Sequence, residues 1–135
     1  MKTLITGIAG FAGSHLAELL LKDGEEIVGT VLPGESLHNL DSFVSEVNLV
    51  PCDLRNTDAV EQLVKNVEPD SLYHLAAITF IPESVENPRV TFDINVFGTL
   101  NLLEAAKKLP SQPRILFVGS ADEYGRVKKK ELPVK

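Results

Sequence analysis

The chain begins with a short apolar run, Thr3-Leu4-Ile5, and then places glycines at positions 7, 10 and 13. From Ser14 to Leu21 the apolar residues return at helical spacing. Strand, glycine turn and helix in that order leave few folds open. A glycine at position 7 allows the tight turn out of the strand, and one at position 10 lets the backbone approach a phosphate with no Cβ between them. A glycine at position 13 lets the helix pack close against the strand. The unpaired N–H groups and positive dipole end of the helix then face an anion. The spacing is G-x-x-G-x-x-G rather than G-x-G-x-x-G. Its place between the first strand and first helix favours a dinucleotide pyrophosphate over a purely structural turn.

The remainder alternates in the same way. Strands are expected near residues 2–6, 26–31, 47–50, 71–75 and 114–119, and helices near 11–22 and 57–66, with one long helix from Arg89 to Leu109. Asp23-Gly24 closes the first helix, and Thr57 reads as the N-cap of the second. Pro69-Asp70 ends that second helix, and the stretch 36–43 is compatible with a short one. Strands that are apolar without alternation fit a sheet covered on both faces. The expected fold is α/β, a Rossmann-type doubly wound parallel sheet that binds ligands at the carboxyl ends of its strands. Such a sheet ordinarily continues with a further helix and strand. The expected layout is therefore residues 1–125 as the N-terminal part of an NAD(P)-binding domain and 126–135 as a polar tail. The fold would be incomplete at its C-terminus, with the substrate domain absent.

Composition narrows the function. A net charge of −6 argues against a nucleic-acid partner, and the run Lys128-Lys129-Lys130 reads as a solvated loop. No apolar run is long enough for a membrane span. Cys52 is the only cysteine, so neither a disulfide framework nor a cysteine-rich metal site is expected. That usage fits a reducing, cytoplasmic setting, with Cys52 as a small core residue.

Five segments in order carry a resemblance that extends over essentially the whole chain. They are the glycine turn followed by His15-Leu16, Asp53-Leu54-Arg55, His74-Leu75-Ala76-Ala77, the run Asp93 to Ala105 with its Asn95-Val96-Phe97-Gly98-Thr99, and Gly119 to Gly125. Together they resemble the extended short-chain dehydrogenase/reductases that act on nucleotide sugars. The stretch from His74 to Ser84 is similar to that of GDP-4-keto-6-deoxy-D-mannose reductases, with GDP-mannose 4,6-dehydratases next. The resemblance implies that Gly7, Gly10, Phe11, Ala12, Gly13, Asp53, Leu54, Leu75, Ala76 and Ala77 contact an NAD or NADP cofactor, Asp53 through the adenine amino group. It implies that Ser120 is catalytic, that Thr79 and Asp122 meet the sugar, and that Asn95 supports the active site. His74 reads as a packed strand residue and Tyr124 as the packing tyrosine of a turn. Homo-oligomers are also implied, with the Arg89–Leu109 helix as the pairing element.

In the resembled dehydratases, Thr, Asp or Ser, and Glu occupy the places of Ser120, Ala121 and Asp122. Elimination needs an acid within reach of the leaving hydroxyl. The substitution weakens the dehydratase reading and favours simple ketone reduction or epimerisation; the expected reaction is reduction of a sugar ketone by NAD(P)H, with a 4,6-dehydratase or 4-epimerase as alternatives. Tyr124 and Lys128 formally make Tyr-x-x-x-Lys, but Gly125 argues against a shared helix, so no proton donor is assigned there. The competing class is a non-catalytic dinucleotide-binding module. No Lys or Arg occurs between Lys22 and Arg55, and Glu35 is the acid left to reach a ribose, so the stretch leans to NAD while NADP stays open.

Overall fold

The computed structural model describes residues 1–129 and 132, without the side chains of Ala121 and Asp122. The expected sugar contact of Asp122 and much of the expected polar tail therefore lie outside the described residues.

Five parallel strands form one sheet in the order β3-β2-β1-β4-β5. They are β1 (Lys2–Thr6), β2 (Glu26–Val31), β3 (Asn48–Pro51), β4 (Ser71–His74) and β5 (Arg114–Phe117). The chain builds outward from β1 to β3, then returns to place β4 on the other side of β1, in register Thr6 to His74. That reversal creates a switch point between β1 and β2 on one side and β4 on the other, the place where such sheets leave a crevice.

Adjacent β1 residues divide the core because successive strand side chains face opposite ways. Leu4 packs with Val28 and Leu72 against helices α2 (Thr57–Val67) and α5 (Thr99–Lys107), through Val60, Leu63, Val64 and Leu102. Ile5 packs with Ile27 and Val31 against α1 (Phe11–Lys22), through Ala17 and Leu20. Leu40 and Phe43, beside short 3-10 turns at His38–Leu40 and Val44–Glu46, complete that face.

Two local expectations need correction and two gain detail. Asn56, not Thr57, caps α2: its side chain accepts the Ala59 N–H at 3.1 Å, while the Thr57 hydroxyl bonds Asn101. Both residue types cap well, so the sequence pattern does not separate neighbours. The short helix compatible with 36–43 is a 3-10 turn, His38–Leu40. The expected long helix is present as an unbroken helical run from Pro88 to Lys107, but it contains a π-helical stretch and a separate short helix precedes it. Short helices α3 (Ile81–Glu86) and α4 (Pro88–Phe92) precede a π-helical stretch, Asp93–Gly98, that leads into α5. The extra residue of a π turn leaves the apolar pattern readable as one helix. Finally, β5 is not buried on two faces; all four of its residues are exposed.

Candidate active site at the sheet switch point

The first wall of the crevice is the glycine turn. Gly7 has φ +72°, and a Cβ there would come within 2.9 Å of the Ala76 backbone. At Gly13 a Cβ would lie 2.2 Å from the Gly7 carbonyl oxygen. These two glycines are demanded by the fold. Gly10 differs: its φ is −70°, and a Cβ would meet only the Gly7 oxygen at 3.3 Å. The backbone does not need glycine there, so the space above it is what the missing side chain preserves. No side chain caps α1 and no acid sits in its first turn, which leaves its leading amides for an external acceptor. Asn39 pins the loop by donating to the Ala9 carbonyl at 2.8 Å. These features fit a pyrophosphate.

Two cavities flank the turn and share Leu75, Ala76, Ala77 and Ile78 as a common floor. The first, about 230 Å³, is bounded by Gly7, Gly10, Thr30, Glu35, Asp53, Leu54 and Arg55. The second, about 710 Å³, is bounded by Ala12, His74, Thr79, Asn95, Thr99 and Ser120. The small residues Ala76 and Ala77 border both cavities.

Asp53 projects from the loop after β3. Arg55 grips it, with Nε 3.0 Å from each carboxylate oxygen and Nη2 at 2.6 Å, and the Arg55 amide adds a fourth bond at 3.0 Å. Hydrogen bonding from Arg55 holds the Asp53 carboxyl below its usual range, so it is ionised and acts as an acceptor. Among the described residues, Arg55 is the only basic one bounding the first cavity, and its guanidinium is committed to Asp53. Glu35 also bounds this cavity, with one oxygen accepting the Leu32 N–H at 2.8 Å. Cys52 is buried beside them, and burial pushes its thiol pKa up, helped by the Asp53 charge.

The floor is fastened from two sides. Asn95 grips Ile78 in both directions, its Oδ1 accepting the Ile78 N–H at 2.8 Å and its Nδ2 donating to the Ile78 carbonyl at 2.9 Å. Thr6 Oγ1 accepts the amides of Leu75 and Ala76 at 3.2 and 3.3 Å. His74 stands between Thr6 and Thr99, and burial lowers its pKa.

The residues expected at the site thus divide between the cavities. Gly7, Gly10, Asp53 and Leu54 border the first, Ala12, Thr79 and Ser120 the second, and Leu75, Ala76 and Ala77 both. Phe11 and Gly13 border neither: the exposed Phe11 ring stacks edge-on against His15, and Gly13 is buried under the turn. Tyr124 is exposed, not packed, and the 3-10 turn Ala121–Tyr124 ends before Lys128, so the two do not share a helix. Sequence reasoning missed Arg55 as the partner of Asp53, and missed Thr6 and Thr99. A basic residue two positions after a strand-end acid was the available signal for Arg55; the threonines had none.

Residues 4–134 match the family model described as GDP-mannose 4,6 dehydratase. The chain belongs to this family. Among curated relatives, the CDP-paratose 2-epimerase of Salmonella typhi is 38% identical over 130 residues, covering 93% of this chain and 38% of the relative. The GDP-mannose 4,6-dehydratase of Yersinia enterocolitica is 36% identical over 143 residues, covering 98% of this chain and 38% of the relative. Among solved structures, the UDP-glucose 4-epimerase from Brucella ovis in complex with NAD superposes with a TM-score of 0.82 at 29% identity, over 95% of this chain and 38% of that one. The Thermus thermophilus UDP-glucose 4-epimerase complex with NAD gives 0.72 at 37% identity, over 80% and 34%. The chain therefore spans well under half the length of these members. The match extends the family's dehydratase and epimerase fold to the sheet described above.

Proposed function

We propose that this chain is the cofactor-binding part of a nucleotide-sugar oxidoreductase that reduces a GDP-4-keto-6-deoxy-mannose-like ketone, with NAD as the favoured cofactor. The observation that carries the reading is the uncapped α1 start over an open Gly10, centred on a crevice whose two cavities share a small-residue floor. The leading amides of α1 would hold the pyrophosphate, Asp53 would accept from the adenine amino group, and Leu75 to Ala77 would lie along the cofactor. A nicotinamide supplies hydride chemistry when bound. Ser120 would hydrogen-bond the ketone oxygen in the larger cavity, with Thr79 and Asp122 toward the sugar. Tyr124 and Lys128 are not given the proton step.

Two features support NAD over NADP. The Glu35 carboxylate borders the smaller cavity, and among the described residues the one cation there is neutralised by Asp53. A 2′-phosphate would meet like charge with no free cation among the described residues that border the cavity. The second reading is a 4-epimerase or 4,6-dehydratase, favoured by the epimerase and dehydratase relatives. Calorimetry of the chain with NADH and NADPH tests the cofactor assignment; tighter NADPH binding refutes the NAD lean. NADH oxidation driven by GDP-4-keto-6-deoxy-mannose, against turnover of GDP-mannose alone, tests the reaction in the protein that carries this domain. Turnover of GDP-mannose without ketone reduction would favour the second reading.

A further inference from the structure

The proton order around His74 follows from its partners. The Thr99 hydroxyl donates to the Asn95 carbonyl at 2.8 Å, so its single proton is committed. It must therefore accept from His74 Nε2, 2.8 Å away. Nε2 then carries the ring proton, and Nδ1 accepts from the Thr6 hydroxyl at 2.7 Å. With its proton on the ring, Thr6 Oγ1 turns both lone pairs to the amides of Leu75 and Ala76. On the far side, Thr99 at the start of α5 bonds back, i to i−4, to the backbone carbonyl of Asn95 in the π stretch that presents the Asn95 side chain to Ile78. The Thr6 hydroxyl grip and, through Thr99, the Asn95 grip meet at one imidazole, while the Leu75 amide also donates to the Thr6 backbone carbonyl at 3.2 Å. A proton moved to Nδ1 would give Thr6 Oγ1 a third donor, and it would ask Thr99 to release Asn95.

We propose that His74, held neutral with its proton on Nε2, is the positioning residue that couples the Thr6 and Asn95 grips and so fixes the crevice floor from Leu75 to Ile78. The inference rests on the cofactor reading for its function but not for its geometry. The residue is 4% exposed, and its ring meets two threonine hydroxyls and the Phe117 ring, centroid 5.8 Å away. Burial lowers its pKa, in keeping with a neutral imidazole.

The coupling has a signature that simple structural support lacks. Thr99→Val touches the Asn95 end, yet the Ala76 amide should exchange about fivefold faster, the scale of one net hydrogen bond. Thr6→Val touches the β1 end, yet the Ile78 amide should loosen to a similar degree. In a His74→Phe background each threonine change should act on its own end alone. Nitrogen NMR of the unmodified chain should show a protonated Nε2 and a bare Nδ1 at neutral pH, a result that does not depend on any variant folding. Each threonine change should also weaken NADH by about fivefold. Purely local exchange effects, a Nδ1 proton or a charged ring would overturn the proposal. Reciprocal exchange with no NADH binding by the unmodified chain would refute the cofactor reading and leave the coupling standing.

Discussion

The three glycines of the first turn look alike in sequence, but the structure assigns them different burdens, and alanine at each position separates fold from function. At Gly13 the new Cβ would sit 2.2 Å from the Gly7 oxygen and 2.8 Å from Ile8 Cα. Both atoms are backbone, so α1 must move away from β1. An overlap of that depth exceeds ordinary overpacking and should destabilise by about 3 kcal/mol or more. At Gly7 a left-handed φ of +72° costs an L-residue roughly 1–2 kcal/mol, and the 2.9 Å approach to Ala76 adds to it. At Gly10 the φ of −70° suits any residue, and the single 3.3 Å contact needs a shift of only a few tenths of an ångström. The reduced freedom of the unfolded chain offsets that, so the net change should stay within about 1 kcal/mol. Gly10→Ala should nonetheless weaken NADH by tenfold or more, about 1.4 kcal/mol, because its methyl group fills the approach to the pyrophosphate. Urea midpoints give the stability order and calorimetry gives the affinity. A Gly13→Ala chain as stable as the parent, or a Gly10→Ala chain that binds NADH equally well, would refute this reasoning.

Three further outcomes follow from the same geometry. The His74 pKa is lowered by folding, so the unfolded chain takes up that proton first; stability should be full above pH ~7 and erode as pH falls below ~6.5. Urea unfolding across pH checks this, and the component should vanish in His74→Gln. Replacing Asp53 with Asn should weaken NADH by roughly tenfold by removing a charged acceptor, and Arg55→Ala should do so more weakly by freeing the same carboxylate; an unchanged affinity in both would remove Asp53 from the site. Val90, Phe92, Val96, Phe97, Leu100 and Leu103 are exposed along the helical run, as are Ile115 to Val118 around β5. Such a patch promotes association, so light scattering should give masses above 14.7 kDa; a clean monomer with cooperative unfolding contradicts this.

Much of the fold was legible because local signals and the tertiary solution agree. The ranges expected for β1, α1 and β2 are those observed, since glycine turn, helical spacing and the Asp23-Gly24 stop all point the same way. Most residues that border the crevice were legible too, because strand carboxyl ends and the α1 start are fixed by topology. What was hidden depends on contacts distant in sequence. The π stretch is maintained by Thr99 and by the Asn95 grip on a loop 17 residues earlier. Thr6, His74 and Thr99 lie on three separate segments, and no spacing rule joins them. The exposure of β5 reflects what packs against its faces, which strand residues alone do not encode. Asn56 and Thr57 compete as caps by chemistry that differs too little to choose between neighbours.

The central claim is that the crevice from Asp53 to the Leu75–Ile78 floor, closed by the Gly7–Gly13 turn, takes a nicotinamide dinucleotide. An amide NMR titration of the chain with NADH tests it most directly. The account predicts one saturable site, with shifts concentrated at Gly7 to Gly13, at Asp53 to Arg55 and at Leu75 to Ile78. A folded chain that shows no saturable shifts, or shifts centred elsewhere such as on the outer face of α2, would contradict it.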